Sequence, residues 1–390
     1  MQKMLLLGVE AIAQGAIDSG ISGVYAYPGT PSTEITEYIQ NSKPAQERNL
    51  HREWAANEKT AMEAALGMSY AGKRTLVCMK HVGMNVAADC FMNAAITGAN
   101  GGMVVVAADD PSMHSSQNEQ DSRVYGKFAM VPVLEPSNQQ EAYDMTRYAF
   151  ALSERVGSPV LMRITTRLAH SRAGVSTESP IEENGISTPE DKRQYVLLPA
   201  IARKRYNILL DKQADFIKAS EQSKFTEYKE GKDKSIGVIA CGIAYNYLME
   251  VFKGEIPYPV LKVTQYPLPR KQVKQILREC PIVTVLEEGY PVVEELLRGY
   301  PGNENIKGRL DGTVNRTGEL NPDVIAGAFG IKTEEGMEVP SIVAPRPPAL
   351  CNGCSHRDVY NALNDVMKEY PAGRVFADIG CYTLGALPPF

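Results

Sequence analysis

From residue 20 onward, short apolar runs of strand type alternate with stretches whose apolar positions recur at helical spacing. Gly23 to Tyr27 precedes Ser32 to Gln40, Thr75 to Met79 precedes Val86 to Thr97, Met103 to Ala108 precedes a polar loop, and Val160 to Ile164 closes the series. Such alternation predicts an α/β architecture, a parallel sheet with helices on both faces. Ahead of it, Gly8 to Ser19 reads as an amphipathic helix ended by Gly20. After Arg172 the pattern decays into Ser, Pro, Glu, Asn and Lys, and Lys192 to Arg205 is basic, which predicts a linker or surface arm over 176–234. A second βα series starts at Ser235, with strands at Ile236 to Ala240, Val260 to Val263 and Ile282 to Leu286, predicting a smaller α/β domain over 235–330. Pro340, Pro345, Pro347 and Pro348 suit a stiff connector. The remainder, 341–390, offers one helix, Asp358 to Tyr370, and one strand, Arg374 to Ile379. One helix and one strand cannot bury a core, so the chain is expected to stop inside its last domain.

Composition narrows the partners. The 390 residues are 44% hydrophobic, enough for two or three ordinary cores. With 41 Lys plus Arg against 46 Asp plus Glu there is no basic field to hold a nucleic acid or an anionic membrane, so neither is expected as a partner. Glu10 breaks the apolar opening run, which argues against a signal peptide, and no run reaches the length of a membrane span. Seven scattered cysteines argue against a disulfide framework and for a reducing, cytoplasmic location.

In doubly wound sheets ligands bind where strands end at their carboxyl edge. Three such loops are polar: Tyr27 to Ser32, Lys80 to Asn85, and Asp109 to Ser112. In the first, Thr30 is expected as a helix N-cap with Pro31 at the first helical position, leaving backbone N–H groups for an anion such as a substrate carboxylate; a plain cap is the alternative. A helix is predicted over Trp54 to Tyr70, and Glu58 lies on its apolar stripe with Met62. Glu58 is therefore either a buried or functional carboxylate or a first-turn acid leaning out to water. Met113 to Asp121 is a polar loop in which His114, like His81, carries little weight alone. Cys351 and Cys354 form a C-x2-C pair, with Cys381 twenty-seven residues after Cys354. The spacing suits an iron–sulfur cluster, a zinc site completed by His356, or a redox pair, while Cys78, Cys90, Cys241 and Cys280 read as small core residues.

Six segments, in order, carry a resemblance: Tyr27 to Glu34, Asn57 to Ala61 running to Gly72, Lys80 to Asp89, Asp109 to Asp121, Cys351 to Arg357, and Asp378 to Gly385. Together they resemble the 2-oxoacid:ferredoxin oxidoreductase family, in particular the large subunits of its indolepyruvate branch, over the whole chain. The resemblance implies a thiamine-diphosphate-binding fold. It would comprise a pyrimidine-binding domain at 1–175, a transketolase-C-terminal-like domain at 235–330, and the start of a pyrophosphate-binding domain at 341–390. It implies that Glu58 is catalytic, hydrogen-bonding the aminopyrimidine ring so that the ylide can form. Pro28, Gly29, Gly83, Asp378 and Gly380 would contact the cofactor, and Thr30, His81, Asn85 and His114 the 2-oxoacid. Cys351, Cys354 and Cys381 would be three ligands of a [4Fe-4S] cluster; the family's usual proline after the first cysteine is Asn352 here, which leaves the ligands intact. The Mg2+ ligands would come mostly after Phe390. The implied reaction is oxidative decarboxylation of an aryl 2-oxoacid to an acyl-CoA, with electrons passing through iron–sulfur clusters to ferredoxin. The implied partners are coenzyme A, ferredoxin and a smaller β subunit in a hetero-oligomer, and this chain alone is expected to be inactive. The competing expectations are a thiamine-dependent decarboxylase or synthase without redox centres, and an inactive, zinc-stabilised scaffold.

Overall fold

A computed structural model describes residues 2–189, 191–299, 302–333, 336–344, 349–373, 375 and 381–386. Met1–Thr333 and Glu334–Phe390 form two compact units, the break falling between the expected 235–330 and 341–390 regions.

The first unit opens on β1 (Gln2–Leu7), α1 (Gly8–Asp18), β2 (Gly23–Ala26), α2 (Thr33–Asn41), α3 (Lys43–Glu47) and α4 (Glu58–Tyr70). It continues through β3 (Thr75–Lys80), α5 (His81–Thr97), β4 (Met103–Asp109), α6 (Arg123–Ala129), β5 (Val133–Leu134), α7 (Gln139–Val156), β6 (Val160–Thr165), α8 (Thr166–His170) and β7 (Arg172–Thr177). Strands β2, β3, β4, β6 and β5 lie side by side in that order, all parallel. Every residue of β4 is buried because both faces of the sheet are covered. Val104, Val106 and Ala108 face the cluster built by α1, α2 and α7, while Met103, Val105 and Ala107 face that of α4 and α5. The period-two side-chain alternation of a strand thus feeds two helical layers at once. Strand β1 pairs antiparallel with β7, outside this sheet.

The polar stretch that follows carries α9 (Pro199–Asp211), α10 (Gln213–Glu221) and β8 (Glu227–Lys229). Several of its charges are anchored: Arg205 donates to Ile96 O and Thr97 O, Lys212 donates to Gly157 O, and Glu183 pairs with Arg48. Then come β9 (Ile236–Cys241), α11 (Ala244–Val251), β10 (Val260–Val263), β11 (Gln265–Tyr266), α12 (Arg270–Glu279), β12 (Ile282–Leu286), α13 (Val292–Arg298), β13 (Ile306–Lys307) and α14 (Pro322–Ala328). The second sheet runs β13-β12-β9-β10-β8, parallel except for the edge strand β8. Strand β11 leaves it and pairs antiparallel with β5, adding an edge to the first sheet.

A buried ionic network joins the two sheets. Arg163, on β6, reaches Asp109 at 2.5 Å, Glu135, and Glu288 O at 2.9 Å. Arg123 grips Asp121 through Nε at 2.9 Å and a terminal nitrogen at 2.6 Å, and reaches Glu287 at 2.8 Å and Tyr266 at 3.2 Å. These side chains are nearly inaccessible to water. Buried charges persist only when paired and hydrogen-bonded, and removing one partner of such a pair costs about 3–5 kcal/mol.

In the second unit the described elements are α15 (Ser355–Met367) and a 3-10 turn at Cys381–Ala386. Tyr360, buried on α15, donates its hydroxyl to Tyr382 O and closes the unit on itself. Apart from Val375, the strand expected at 374–379 falls outside the described residues, as do Asp378, Gly380, Pro345, Pro347 and Pro348.

Candidate functional site

Because β2, β3 and β4 are parallel neighbours, the segments after Ala26, Lys80 and Asp109 open on one edge of the sheet. A fourth segment arrives there by another route. Residues 51–55 run beside β2, with Val24 N–H donating to His51 O at 2.8 Å and Ala55 N–H to Ala26 O at 2.8 Å, so the N-terminus of α4 is delivered to the same edge. The helix expected from Trp54 therefore begins only at Glu58: Trp54 is held in the extended segment, and the Asn57 side chain caps the helix by accepting from Thr60 N–H at 2.9 Å.

Glu58 falls between the two alternatives that the sequence left open. It is a first-turn residue, and it is half-buried, its side chain lying against Gly83 of α5. A Cβ on Gly83 would stand 2.7 Å from both Cγ and Oε1 of Glu58, so the carboxylate occupies the space a side chain there would need. Burial pushes the Glu58 carboxyl above its ordinary range, opposed by a hydrogen bond from its own backbone N–H. Among the described residues no other group hydrogen-bonds or ion-pairs with this carboxylate.

Two sequence expectations about this edge are corrected. Thr30 is not the cap of α2: the Thr30–Pro31 peptide is cis, Ser32 holds the cap position, and the helix starts at Thr33. The loop closes on itself first, Gly29 N–H donating to Thr33 Oγ1 at 2.8 Å and Ser32 Oγ to Gly29 O at 2.7 Å, which leaves Pro28 and Thr30 exposed. Nor is 80–85 a loop. Lys80 ends β3 in extended conformation and caps α5 directly, so His81, Gly83 and Asn85 occupy its first turns. Helical spacing puts His81 and Gly83 inside and Asn85 outside.

The remaining predicted residues scatter around this edge. His81 is fully buried, with Nε2 3.1 Å from Asn118 O and, among the described residues, no partner for Nδ1. The exposed Asn85 accepts a hydrogen bond from Tyr125. His114 lies 3.3 Å from Glu319, which also takes a forked pair of bonds from Arg167 at 2.7 and 2.6 Å. The polar loop 113–121 is fastened rather than simply solvated. Asp110 accepts from Ser115 N–H, Ser116 Oγ and Thr166 Oγ1, and although burial works against ionisation, these bonds hold its carboxyl below the usual range. Sequence reasoning missed Lys80: its Nζ donates to Ser115 O and Oγ at 3.2 and 3.1 Å, and its Cβ would sit 3.2 Å from a Cβ on Gly29. Its position immediately after a strand was the available signal.

Of the cysteines, Cys351 and Cys381 are exposed, and Cys354 caps α15 with Sγ 3.2 Å from His356 Nδ1. Among the described residues no three His, Cys, Asp or Glu side chains are gathered closely enough to hold a metal ion, so the three cysteines are not brought together here. Cys78 and Cys241 are buried, and burial pushes both thiols up, as core residues require.

Residues 14–221 match the family model described as pyruvate flavodoxin/ferredoxin oxidoreductase, thiamine-diphosphate-binding. Over its whole length the chain is 42% identical to the indolepyruvate oxidoreductase subunit IorA of Archaeoglobus fulgidus and 40% identical to that of Pyrococcus abyssi. It spans 65% and 63% of the length of those relatives. Among solved structures, the 2-oxoglutarate:ferredoxin oxidoreductase from Magnetococcus marinus superposes with a TM-score of 0.67 at 17% identity, covering 84% of this chain and 65% of that one. The fold is a thiamine-diphosphate-binding α/β fold.

Proposed function

The chain belongs to the pyruvate flavodoxin/ferredoxin oxidoreductases through their thiamine-diphosphate-binding region, and from that premise we propose that it binds thiamine diphosphate with Mg2+ and serves the oxidative decarboxylation of an aryl 2-oxoacid of the indolepyruvate type. In that reaction the bond from the keto carbon to the carboxylate breaks, CO2 leaves, coenzyme A takes the acyl group, and two electrons pass singly to ferredoxin. Thiamine diphosphate, when bound, supplies the carbanion that attacks the keto carbon.

The observation that carries this reading is Glu58. It presents a half-buried carboxylate at the ligand edge of the sheet, with raised proton affinity and no side-chain partner among the described residues. Such a group suits a heterocyclic ring nitrogen with which it can share a proton, and desolvation strengthens that bond. Gly83 keeps the space clear, Pro28 and Gly29 line the neighbouring loop, and Thr30, exposed beside them, is available to the substrate carboxylate. His81, Asn85 and His114 flank the same edge.

Cys351, Cys354 and Cys381 are proposed as three thiolate ligands of a [4Fe-4S] cluster, which when bound supplies one-electron transfer. The support is donor chemistry alone, since soft thiolates suit iron–sulfur clusters. The relatives are named as subunits, which supports a hetero-oligomer, and a smaller β subunit is proposed as the partner. Among the described residues no helix is long and apolar enough to cross a membrane, and a cytoplasmic location is proposed with that.

The test uses the full-length protein with its partner subunit. Glu58→Gln should still bind thiamine diphosphate in a calorimetric titration, yet slow deuterium exchange at the thiazolium carbon by roughly 10²–10⁴-fold, the usual weight of general acid–base help. Unchanged exchange reduces Glu58 to a capping acid and removes the main support for the reading.

A further inference from the structure

Lys80 is a half-buried cation at the ligand edge of the first sheet. It ends β3, caps α5 and packs its stem against Gly29, within the strip of chain that runs from Gly29 through Lys80 to Gly83 and Glu58. An ammonium has three donors and no acceptor. Two hydrogen bonds go to one residue, Ser115, through its carbonyl and hydroxyl oxygens. Neither oxygen carries a formal charge. The nearby carboxylate, Asp110, already accepts from Ser115 N–H, Ser116 Oγ and Thr166 Oγ1, and among the described residues no carboxylate oxygen comes within ion-pair distance of Lys80. Burial pulls the ammonium below the ordinary lysine range, against the pull of Asp110.

A cation taken partly out of water without a counter-ion is costly, and the arrangement persists where a ligand completes it. Fastening the 113–121 loop would not need a charge: a neutral donor could bond Ser115 O without the desolvation of an ammonium. The absence of a side chain at Gly29 lets the loop after β2 pack closely against the Lys80 stem, since a Cβ there would stand 3.2 Å from Lys80 Cβ.

Within the thiamine-diphosphate reading, on which this rests, we propose that Lys80 is the cation that receives the carboxylate of the 2-oxoacid and so selects acids over neutral ketones. Thr30, in the neighbouring loop after β2, contributes a hydroxyl but no charge. The exchangeable partner for Lys80 is the substrate itself: before decarboxylation the carboxylate pairs with the ammonium, and when CO2 leaves, that pairing ends and Lys80 reverts to its two bonds with Ser115.

The experiment uses the full-length enzyme with its partner subunit and thiamine diphosphate, and two unreactive probes, indole-3-propionate and its neutral counterpart indole-3-propionamide. Equilibrium titration should show that the wild-type protein prefers the carboxylate by about ten- to a hundred-fold, the range of one charge-assisted hydrogen bond. Lys80→Met should erase that preference, and Lys80→Arg, which keeps the charge, should retain most of it; thermal melts of both confirm that they fold. Thiazolium deuterium exchange should stay at the wild-type rate in both variants. A Lys80→Met protein that still prefers the carboxylate, with normal exchange, assigns Lys80 to loop fastening and overturns the proposal alone. A wild-type protein that binds no thiamine diphosphate overturns the functional reading and the proposal with it.

Discussion

The carboxylate of Glu58 and the missing side chain of Gly83 occupy the same space: a Cβ at residue 83 would lie 2.7 Å from Oε1 of Glu58 and 2.7 Å from its Cγ. Gly83 has no positive φ and sits in the first turn of α5, where alanine is the better helix former, so its glycine is explained by room and not by backbone freedom. The two helices that carry these residues pack face to face through Met62, Ala65, Met84 and Phe91, which fixes the contact.

Gly83→Ala is therefore expected to keep the fold and lose the site. The added methyl displaces a carboxylate whose position matters to within an ångström, and kcat/KM for the 2-oxoacid should fall by about 10²-fold. The loss should not add to that of Glu58→Gln, because both changes act on one group. Steady-state kinetics of the two single variants and the double variant check this; additive losses would mean that Gly83 serves some other contact.

Acid–base behaviour should expose the buried network. Burial pushes the Glu288 carboxyl up to about 7 from an ordinary 4.5, against the pull of Arg309 and the N–H of Leu320. Because its folded value is raised, the folded state holds a proton that the unfolded chain releases. The stability this contributes is complete below about pH 4.5 and is lost as pH rises toward about 7, a change of about 3 kcal/mol. Glu288→Gln mimics the protonated form. Urea unfolding should find it close to wild type near about pH 5 and more stable than wild type near about pH 8. A difference that does not vary with pH would show that Glu288 stays ionised against Arg309.

The cysteines separate by metal analysis. Anaerobically purified full-length protein is expected to contain iron and sulfide, and Cys351→Ala should lose iron. Zinc has no redox chemistry and cannot carry the electrons. Stoichiometric zinc, with iron unchanged in Cys351→Ala, would leave His356, already 3.2 Å from Cys354 Sγ, as the fourth ligand and end the electron-transfer role.

Much of the fold is written locally. The apolar runs at 103–108, 236–240 and 282–286 became β4, β9 and β12, since a strand buried on both faces has to be apolar along its length. The edge on which the ligand loops gather follows from parallel pairing, which alternation of strand and helix already implies. The short strands β5 and β11 were not legible, because two-residue pairings carry no periodicity and exist only where two sheets meet. Glu58 drew attention because a charge on an apolar stripe conflicts with its neighbours in the same helix. Gly83 could be tied to it only once α4 and α5 were packed, since the contact joins residues twenty-five positions apart through space and leaves no trace in either local pattern. Lys80, Arg123 and Arg163 were hidden for the same reason: a lone basic residue in a sequence reads as solvated, and whether it is buried, paired or left short of a partner is decided by which carboxylates the tertiary fold brings within reach.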